Sequence, residues 1–174
     1  MRNIMIVSTF LTLLSCKTNE QKFRISPIYT EPKKITSDVS ENGISHTFNT
    51  FKEITERLNH LVFMISKKEN LLKFGLQGNI SSSGHYINRI RKIRIEEEFT
   101  GNTFRLKYIV EIKRIAGKEN ANIRGYNYTK DETYKIPTGA KIITIELYED
   151  FVNKSSDAKP RLTAQQTFNF FAHM

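Results

Sequence analysis

Apolar and polar residues alternate most regularly between residues 93 and 112, and this alternation predicts a β-hairpin. Gly101-Asn102 is typical of a two-residue type II′ turn. Such a turn sets a register in which opposed residue numbers sum to 203. Charged residues of opposite sign then face each other at 98/105, 96/107 and 92/111, and apolar residues meet at 99/104, 95/108 and 93/110.

A second pattern predicts a long helix over residues 48–65. Apolar residues recur there at spacings of three and four, with charged residues on the other side; they are Phe48, Phe51, Ile54, Leu58, Leu61 and Ile65. Further strands are predicted at 71–80, 141–148 and 165–172, and residues 116–138 are polar and typical of a loop. We therefore expect an α+β fold with one long N-terminal helix packed on an antiparallel sheet of four to five strands.

The first sixteen residues have the pattern of a secretory signal peptide. Arg2 supplies a positive charge, residues 4–14 are uncharged and mostly apolar, and Ser15-Cys16 precedes a polar stretch. A permanent membrane span needs about 20 apolar residues, which exceeds this run. The pattern indicates an exported protein, and Cys16 is its single cysteine, which excludes a disulfide framework within the chain.

Leu13-Leu14-Ser15-Cys16 resembles the lipobox of bacterial lipoprotein precursors. The resemblance implies cleavage between Ser15 and Cys16, followed by acylation of Cys16. Two or three acyl chains give a stable membrane anchor, whereas one binds only marginally. Lys17 after the cysteine resembles lipoproteins sorted to the bacterial outer membrane, and the Lys-, Asn- and Ile-rich composition is similar to that of small spirochaete surface lipoproteins.

The predicted organisation has three parts. Residues 1–15 form the signal peptide, residues 16–44 form the lipidated cysteine and a flexible tether, and residues 45–174 form a single globular domain. The tether prediction depends on the many polar residues and prolines there, with a short strand around 23–28 as an alternative.

The chain carries a formal net charge of +9, or +8 once Arg2 is removed with the signal peptide. This charge favours anionic partners, which include phospholipid headgroups, sulfated glycans, nucleic acid and acidic proteins. Four cations lie close together on one predicted strand: Arg89, Arg91, Lys92 and Arg94. Strand alternation splits them between two faces, so an ordinary solvated strand face is the competing interpretation.

A second candidate binding surface lies in the predicted 116–138 loop. It contains Arg124, Tyr126, Tyr128 and Lys130. Tyrosine provides rigid contact area and is enriched at recognition surfaces, although it also occurs in plain loops.

The sequence contains none of the common catalytic or nucleotide-binding motifs, and its histidines lack metal-ligand spacing. We therefore expect a non-enzymatic lipoprotein with no cofactor, no metal and no specific nucleic-acid binding, whose domain binds a macromolecular partner. An envelope-assembly lipoprotein that faces the periplasm and binds another envelope protein is the alternative, and a small enzyme is a remote one. The sequence leaves open which face of the membrane carries the domain.

We predict that the mature protein begins at an acylated Cys16. The reason is the apolar run followed by Leu-Leu-Ser-Cys. Mass spectrometry of the mature amino terminus checks this prediction, and an unmodified Cys16 or a cut elsewhere would contradict it.

Overall fold

The computed structural model describes residues 23–38, 45–96, 102–120, 122–152 and 159–170, and these residues form strands and turns without any helix. Within them, accordingly, there is no helix with the length and apolarity needed to cross a membrane. The described strands are β1 (Arg24–Asp38), β2 (Ser45–Glu53), β3 (Leu61–Lys68), β4 (Leu71–Ile80), β5 (His85–Glu96), β6 (Thr103–Arg114), β7 (Ile123–Lys135), β8 (Ile142–Phe151) and β9 (Arg161–Asn169).

The strands form two sheets that pack face to face. The five-stranded sheet has the order β2-β1-β7-β4-β3, and the four-stranded sheet has the order β5-β6-β8-β9. All neighbouring strands are antiparallel except β6 and β8, which are parallel. The architecture is therefore a β-sandwich.

The core lies between the sheets and is built by alternate residues of the central strands. Phe104, Leu106, Tyr108, Val110 and Ile112 of β6 are all buried. Across the core, Tyr108 packs edge to face on Phe74 of β4, with ring centroids 5.8 Å apart. The apolar alternation that identified β6 in the sequence is therefore the inner face of the four-stranded sheet.

The predicted helix over 48–65 is wrong, and so is the α+β fold class. The segment forms β2, a connection over 54–60, and β3. Most of the residues assigned to the apolar helical stripe are exposed: Phe48, Phe51, Ile54, Leu61 and Ile65. The backbone of the connection does not bond within a helix but to side chains of the sheet. The Leu58 amide donates a hydrogen bond to Asn127 Oδ1, and the Asn127 side-chain amide donates one to the Glu56 carbonyl. The Asn79 side-chain amide donates one to the Leu58 carbonyl. Buried backbone groups need partners, and these asparagines supply them without helical turns.

The predicted hairpin exists as β5 and β6, but its register is wrong. Opposed residue numbers sum to 200 over Arg89–Glu96, so that Lys92 pairs with Tyr108 rather than Glu111. Because the shift from 203 is odd, every β5 side chain there lies on the face opposite to the predicted one. Two features explain the error. A bulge at Asn88 interrupts the alternation, and β5 ends at Glu96, which leaves a connection longer than two residues. Glu98 and Phe99, which were predicted to pair with β6, lie outside the described residues.

Two segments that were predicted to be a loop and a flexible tether contain strands in the structure. The predicted loop 116–138 contains β7, which pairs with β1 and β4 in the middle of the five-stranded sheet. Part of the predicted tether is β1, which includes the alternative short strand around 23–28. The predicted strands at 71–80, 141–148 and 165–172 correspond to β4, β8 and β9. Residues 1–22 and 39–44, with the predicted cleavage site and Cys16, lie outside the described residues.

We predict that Ile112→Ala costs about 2–5 kcal/mol of unfolding free energy, because Ile112 is fully buried in the core. Ile95→Ala should cost less than about 1 kcal/mol, because Ile95 lies on the outer face and is 37% exposed. Chemical denaturation of both variants measures the difference. Equal losses would favour the sum-203 register, in which Ile95 faces the core.

Candidate functional site

A concave cleft of about 840 Å³ lies at one end of the sandwich. Its walls come from four places: the β3–β4 turn, the β7–β8 connection, the last part of β5, and Phe170 after β9. The described residues that line it include three cations, Lys67, Arg94 and Lys135, and one carboxylate, Glu69. We call this site the end cleft.

Two tight turns shape the end cleft. Glu69 adopts a φ of 47° in the two-residue turn between β3 and β4, a conformation that costs a non-glycine residue about 1–2 kcal/mol. The carbonyl of the next residue, Asn70, accepts a hydrogen bond of 2.6 Å from the amide of Ile136, which fixes this turn against the end of β7.

The second turn spans residues 137–140. Gly139 has a φ of 81°, and the Ala140 amide donates to the Pro137 carbonyl at 3.1 Å, as in a type II turn with glycine at its third position. Thr138 is carried on this turn into the lining of the cleft.

The cations of the end cleft are held against aromatic rings. Lys67 Nζ lies 4.7 Å from the centroid of Phe170, and the Arg94 guanidinium carbon lies 5.3 Å from the centroid of Phe104. Such contacts stabilise a cation by about 0.5–1 kcal/mol at exposed sites. The cleft therefore offers several positive charges, with the Asn70 and Thr138 side chains beside them, to a ligand that carries more than one negative charge.

The predicted basic strand is divided between two faces, as its alternation indicated. Arg89 and Arg91 lie on the outer face, where Arg89 Nε is 2.6 Å and Arg91 Nε is 3.2 Å from carboxylate oxygens of Glu111. The hydrogen bond from Arg89 is the main reason that the pKa of Glu111 is lowered. Lys92 and Arg94 lie on the inner face, with Lys92 Nζ 5.2 Å from the Tyr134 ring centroid. Of the four cations, only Arg94 lines the end cleft.

The second predicted binding surface does not exist as a surface loop. Tyr128 is fully buried, and Lys130 is buried with its Nζ 3.1 Å from Glu132 Oε1. Tyr126 is half-buried. Only Arg124 is exposed, beside Arg57 and Glu53 in a separate shallow groove. Burial in a central strand therefore removes Tyr128 and Lys130 from any surface contact.

A second charged cluster joins the two sheets through Glu149, a buried carboxylate of β8. Glu149 is bonded to His60 at 2.7 Å and to Arg161 at 2.8 Å. Burial raises the pKa of Glu149, but the bonds from His60 and Arg161 outweigh burial and leave it below the usual value of 4.5. Gly78 leaves the room that this cluster needs, because a Cβ there would lie 2.5 Å from Tyr128 Oη and 2.6 Å from His60 Cδ2. The cluster fixes the end of the 54–60 connection to the opposite sheet.

The Ser82 and Ser83 hydroxyl groups near His85 accept hydrogen bonds from backbone amides. Ser82 Oγ accepts from the Gly84 amide and Ser83 Oγ accepts from the Asn120 amide. The His85 ring packs edge to face on Phe151, 5.7 Å away. Within the residues that the structure covers, no three His, Cys, Asp or Glu side chains come together as metal ligands.

Three comparisons of this chain with known proteins identified no relative. No family model, curated protein or solved structure matches this chain.

Sequence reasoning missed most of the end cleft. Lys67 falls in the segment predicted to end a helix, and Lys135 falls in the predicted loop. The only local signals were the polar turn residues after Lys67 and the Pro137–Ala140 turn sequence. Their proximity follows from pairing of β4 with β3 and β7, which joins distant parts of the chain.

We predict that acid destabilises the fold through Glu149. Because its pKa is lowered in the folded protein, its contribution is complete above about pH 4.5 and is lost as the pH falls through the lowered folded value. Glu149→Gln should cost about 1.5–3 kcal/mol at pH 7, the range for hydrogen bonds to charged groups. It should also flatten the dependence of unfolding free energy on pH below 4.5. Denaturation at pH 7 and pH 3.5 measures both effects, and an unchanged pH dependence would contradict this role.

Proposed function

We propose that this protein is a non-enzymatic, lipid-anchored envelope lipoprotein of the bacterial outer membrane whose β-sandwich binds an anionic macromolecular partner in the end cleft. Support for the anchor comes from the sequence alone: an apolar run of signal-peptide length ends at Leu13-Leu14-Ser15-Cys16. Acylation of Cys16 would hold the domain at the membrane surface.

The observation that carries the binding proposal is the convergence of Lys67, Arg94 and Lys135 from three separate elements on one cleft. Arg89 and Arg91 share the nearby carboxylate of Glu111, whereas Lys67, Arg94 and Lys135 line the end cleft together with Glu69. A concave site with several cations favours a polyanion, because many salt-sensitive contacts add together there. An anionic glycan is the partner class that we favour.

The alternative is an assembly lipoprotein that faces the periplasm and binds another envelope protein. One observation favours it: β1 and β2 extend beyond the sandwich as a two-stranded ribbon with exposed apolar residues. Proteolysis of intact cells separates the two locations, since only an outward-facing domain is cleaved.

We predict that the full-length protein binds a heparin oligosaccharide, used as a model polyanion, through the end cleft. Lys67→Ala combined with Lys135→Ala should weaken binding at least tenfold at low salt, because two of the three cleft cations are lost. Binding by the unaltered protein should fall steeply between 0.1 M and 1 M salt as charges are screened. Isothermal titration at several salt concentrations measures both changes.

A matched control separates the cleft from net charge. Lys34→Ala combined with Lys118→Ala removes two exposed lysines that do not line the cleft, and it changes the formal charge equally. This control should change affinity less than threefold. In the opposite direction, Glu69→Gln removes the carboxylate of the cleft and should strengthen binding. Equal weakening by the two lysine pairs would show that the attraction is nonspecific and would overturn the assignment of this site.

A further inference from the structure

The ribbon formed by residues 30–38 of β1 and β2 differs from the rest of the molecule. Nine consecutive residue pairs join its two strands, from Thr30 with Glu53 to Asp38 with Ser45. Most of its described side chains, those of residues 30–35 and 47–53, are exposed, including Ile35, Phe48 and Phe51. Within the described residues, β1 is the only strand that pairs with β2, so the outer edge of β2 has no neighbouring strand there.

β2 is also the only described edge strand that pairs without a bulge. The pairing of β3 is interrupted at Ile65, that of β5 at Asn88 and that of β9 at Thr163. Bulges, prolines and lysines at sheet edges prevent one edge from pairing with another. β2 contains no proline, and its single lysine, Lys52, lies next to the end of the strand. Among the described sheet edges, that of β2 is therefore the least protected.

One hydrogen bond shows which peptide groups of β2 point towards β1 and which point towards its outer edge. The amide of Ile54, directly after β2, donates to the Tyr29 carbonyl of β1 at 3.0 Å. Successive residues of a strand direct their peptide groups to opposite edges. Even-numbered residues of β2 therefore face β1, and the odd-numbered residues direct their N–H and C=O groups to the free edge; these are Ser45, Thr47, Asn49, Phe51 and Glu53.

We propose that this edge binds the same edge of a second copy of the chain, as an antiparallel pair centred on Asn49. Asn49 is the midpoint of β2, so a two-fold axis there pairs the whole strand with itself. Residues 47 and 51 then oppose each other, as do residues 45 and 53, and all five free-edge residues exchange hydrogen bonds. The pairing joins the two five-stranded sheets into one ten-stranded sheet.

The residues that meet in this register suit an antiparallel pair. Thr47 opposes Phe51, and Phe48 opposes Thr50, which places an aromatic residue next to a β-branched one. Lys52 and Glu53 oppose His46 and Ser45, so no two residues of like formal charge meet. A single strand pairing is small beside the roughly 1,200–2,000 Å² of stable interfaces, so the dimer is reversible. Anchoring in one membrane would raise the local concentration and favour it.

The test uses a disulfide between the two copies of the purified full-length protein in mild non-ionic detergent. Asn49→Cys places two cysteines directly opposite each other in a hydrogen-bonded pair, where Cα atoms lie about 5.5 Å apart, within the range that a disulfide spans. Mild oxidation should convert most of this variant to covalent dimer.

Lys52→Cys is the matched control on the same exposed strand. In the proposed register its two copies lie six residues apart along the strands, which is about 20 Å. It should therefore give at least fivefold less dimer than Asn49→Cys. The unaltered chain, with Cys16 as its only cysteine, reports any dimer made through that position.

A second pair of variants tests the backbone hydrogen bonds. Asn49→Pro removes an N–H that faces the free edge and not β1, so it should preserve the fold and weaken self-association at least tenfold in sedimentation velocity. Asn49→Ala keeps the N–H and should leave self-association within about twofold. The proposal is overturned if Asn49→Cys gives no dimer or if Lys52→Cys gives as much.

Discussion

The connection between β2 and β3 has to cross the five-stranded sheet, and much of the structure depends on how it does so. β2 and β3 are the two edges of the order β2-β1-β7-β4-β3, so the connection spans four strand spacings, or about 19 Å. Only residues 54–60 are available for this. Eight residue steps reach about 26 Å when extended but only about 12 Å as a helix. The segment must therefore be extended, whatever its apolar spacing suggests.

This extended crossing requires partners for its backbone, and the sheet beneath supplies them. Asn127 of β7 and Asn79 of β4 bond to the peptide groups of residues 56 and 58. At its end, His60 reaches the buried carboxylate of Glu149 in the opposite sheet. The crossing thus fixes the edges of one sheet and also holds the two sheets together, while the end cleft forms at the other end of β8.

The sequence was informative where one face of a strand packs against the core. β4, β6 and β8 were recognised because their buried residues recur with the period of a strand, and β6 also had its faces assigned correctly. β9 was recognised from Phe168 and Phe170, of which Phe168 is buried. The prediction of strands and of their register failed where the alternation of apolar and polar residues is interrupted, or where both faces of a strand carry polar residues. The bulge at Asn88 changed the register of β5, and the polar residues of β7 concealed a central strand whose Lys130 and Glu132 neutralise each other inside the sandwich.

The candidate site was predictable only in part, for a related reason. Strand alternation correctly separated Arg89 and Arg91 from Lys92 and Arg94. It contained no information on what else would lie near Arg94. Lys67 and Lys135 reach the same cleft because β4 pairs with β3 on one side and β7 on the other, and long-range pairing of this kind leaves no local pattern.

The pairing of β1 with β7 has a consequence for the order of folding. Ile25 pairs with Tyr128, so the first described strand meets its partner only after more than 100 further residues have been synthesised. The β3–β4 and β5–β6 hairpins close locally and can form early, whereas closure of such a long loop is slow. Until then β1 has no strand on that side, and the chain retains an unfinished sheet. The five-stranded sheet is therefore completed only when β7 has been synthesised, and a chain truncated before Ile123 would lack the strand that joins β1 to β4.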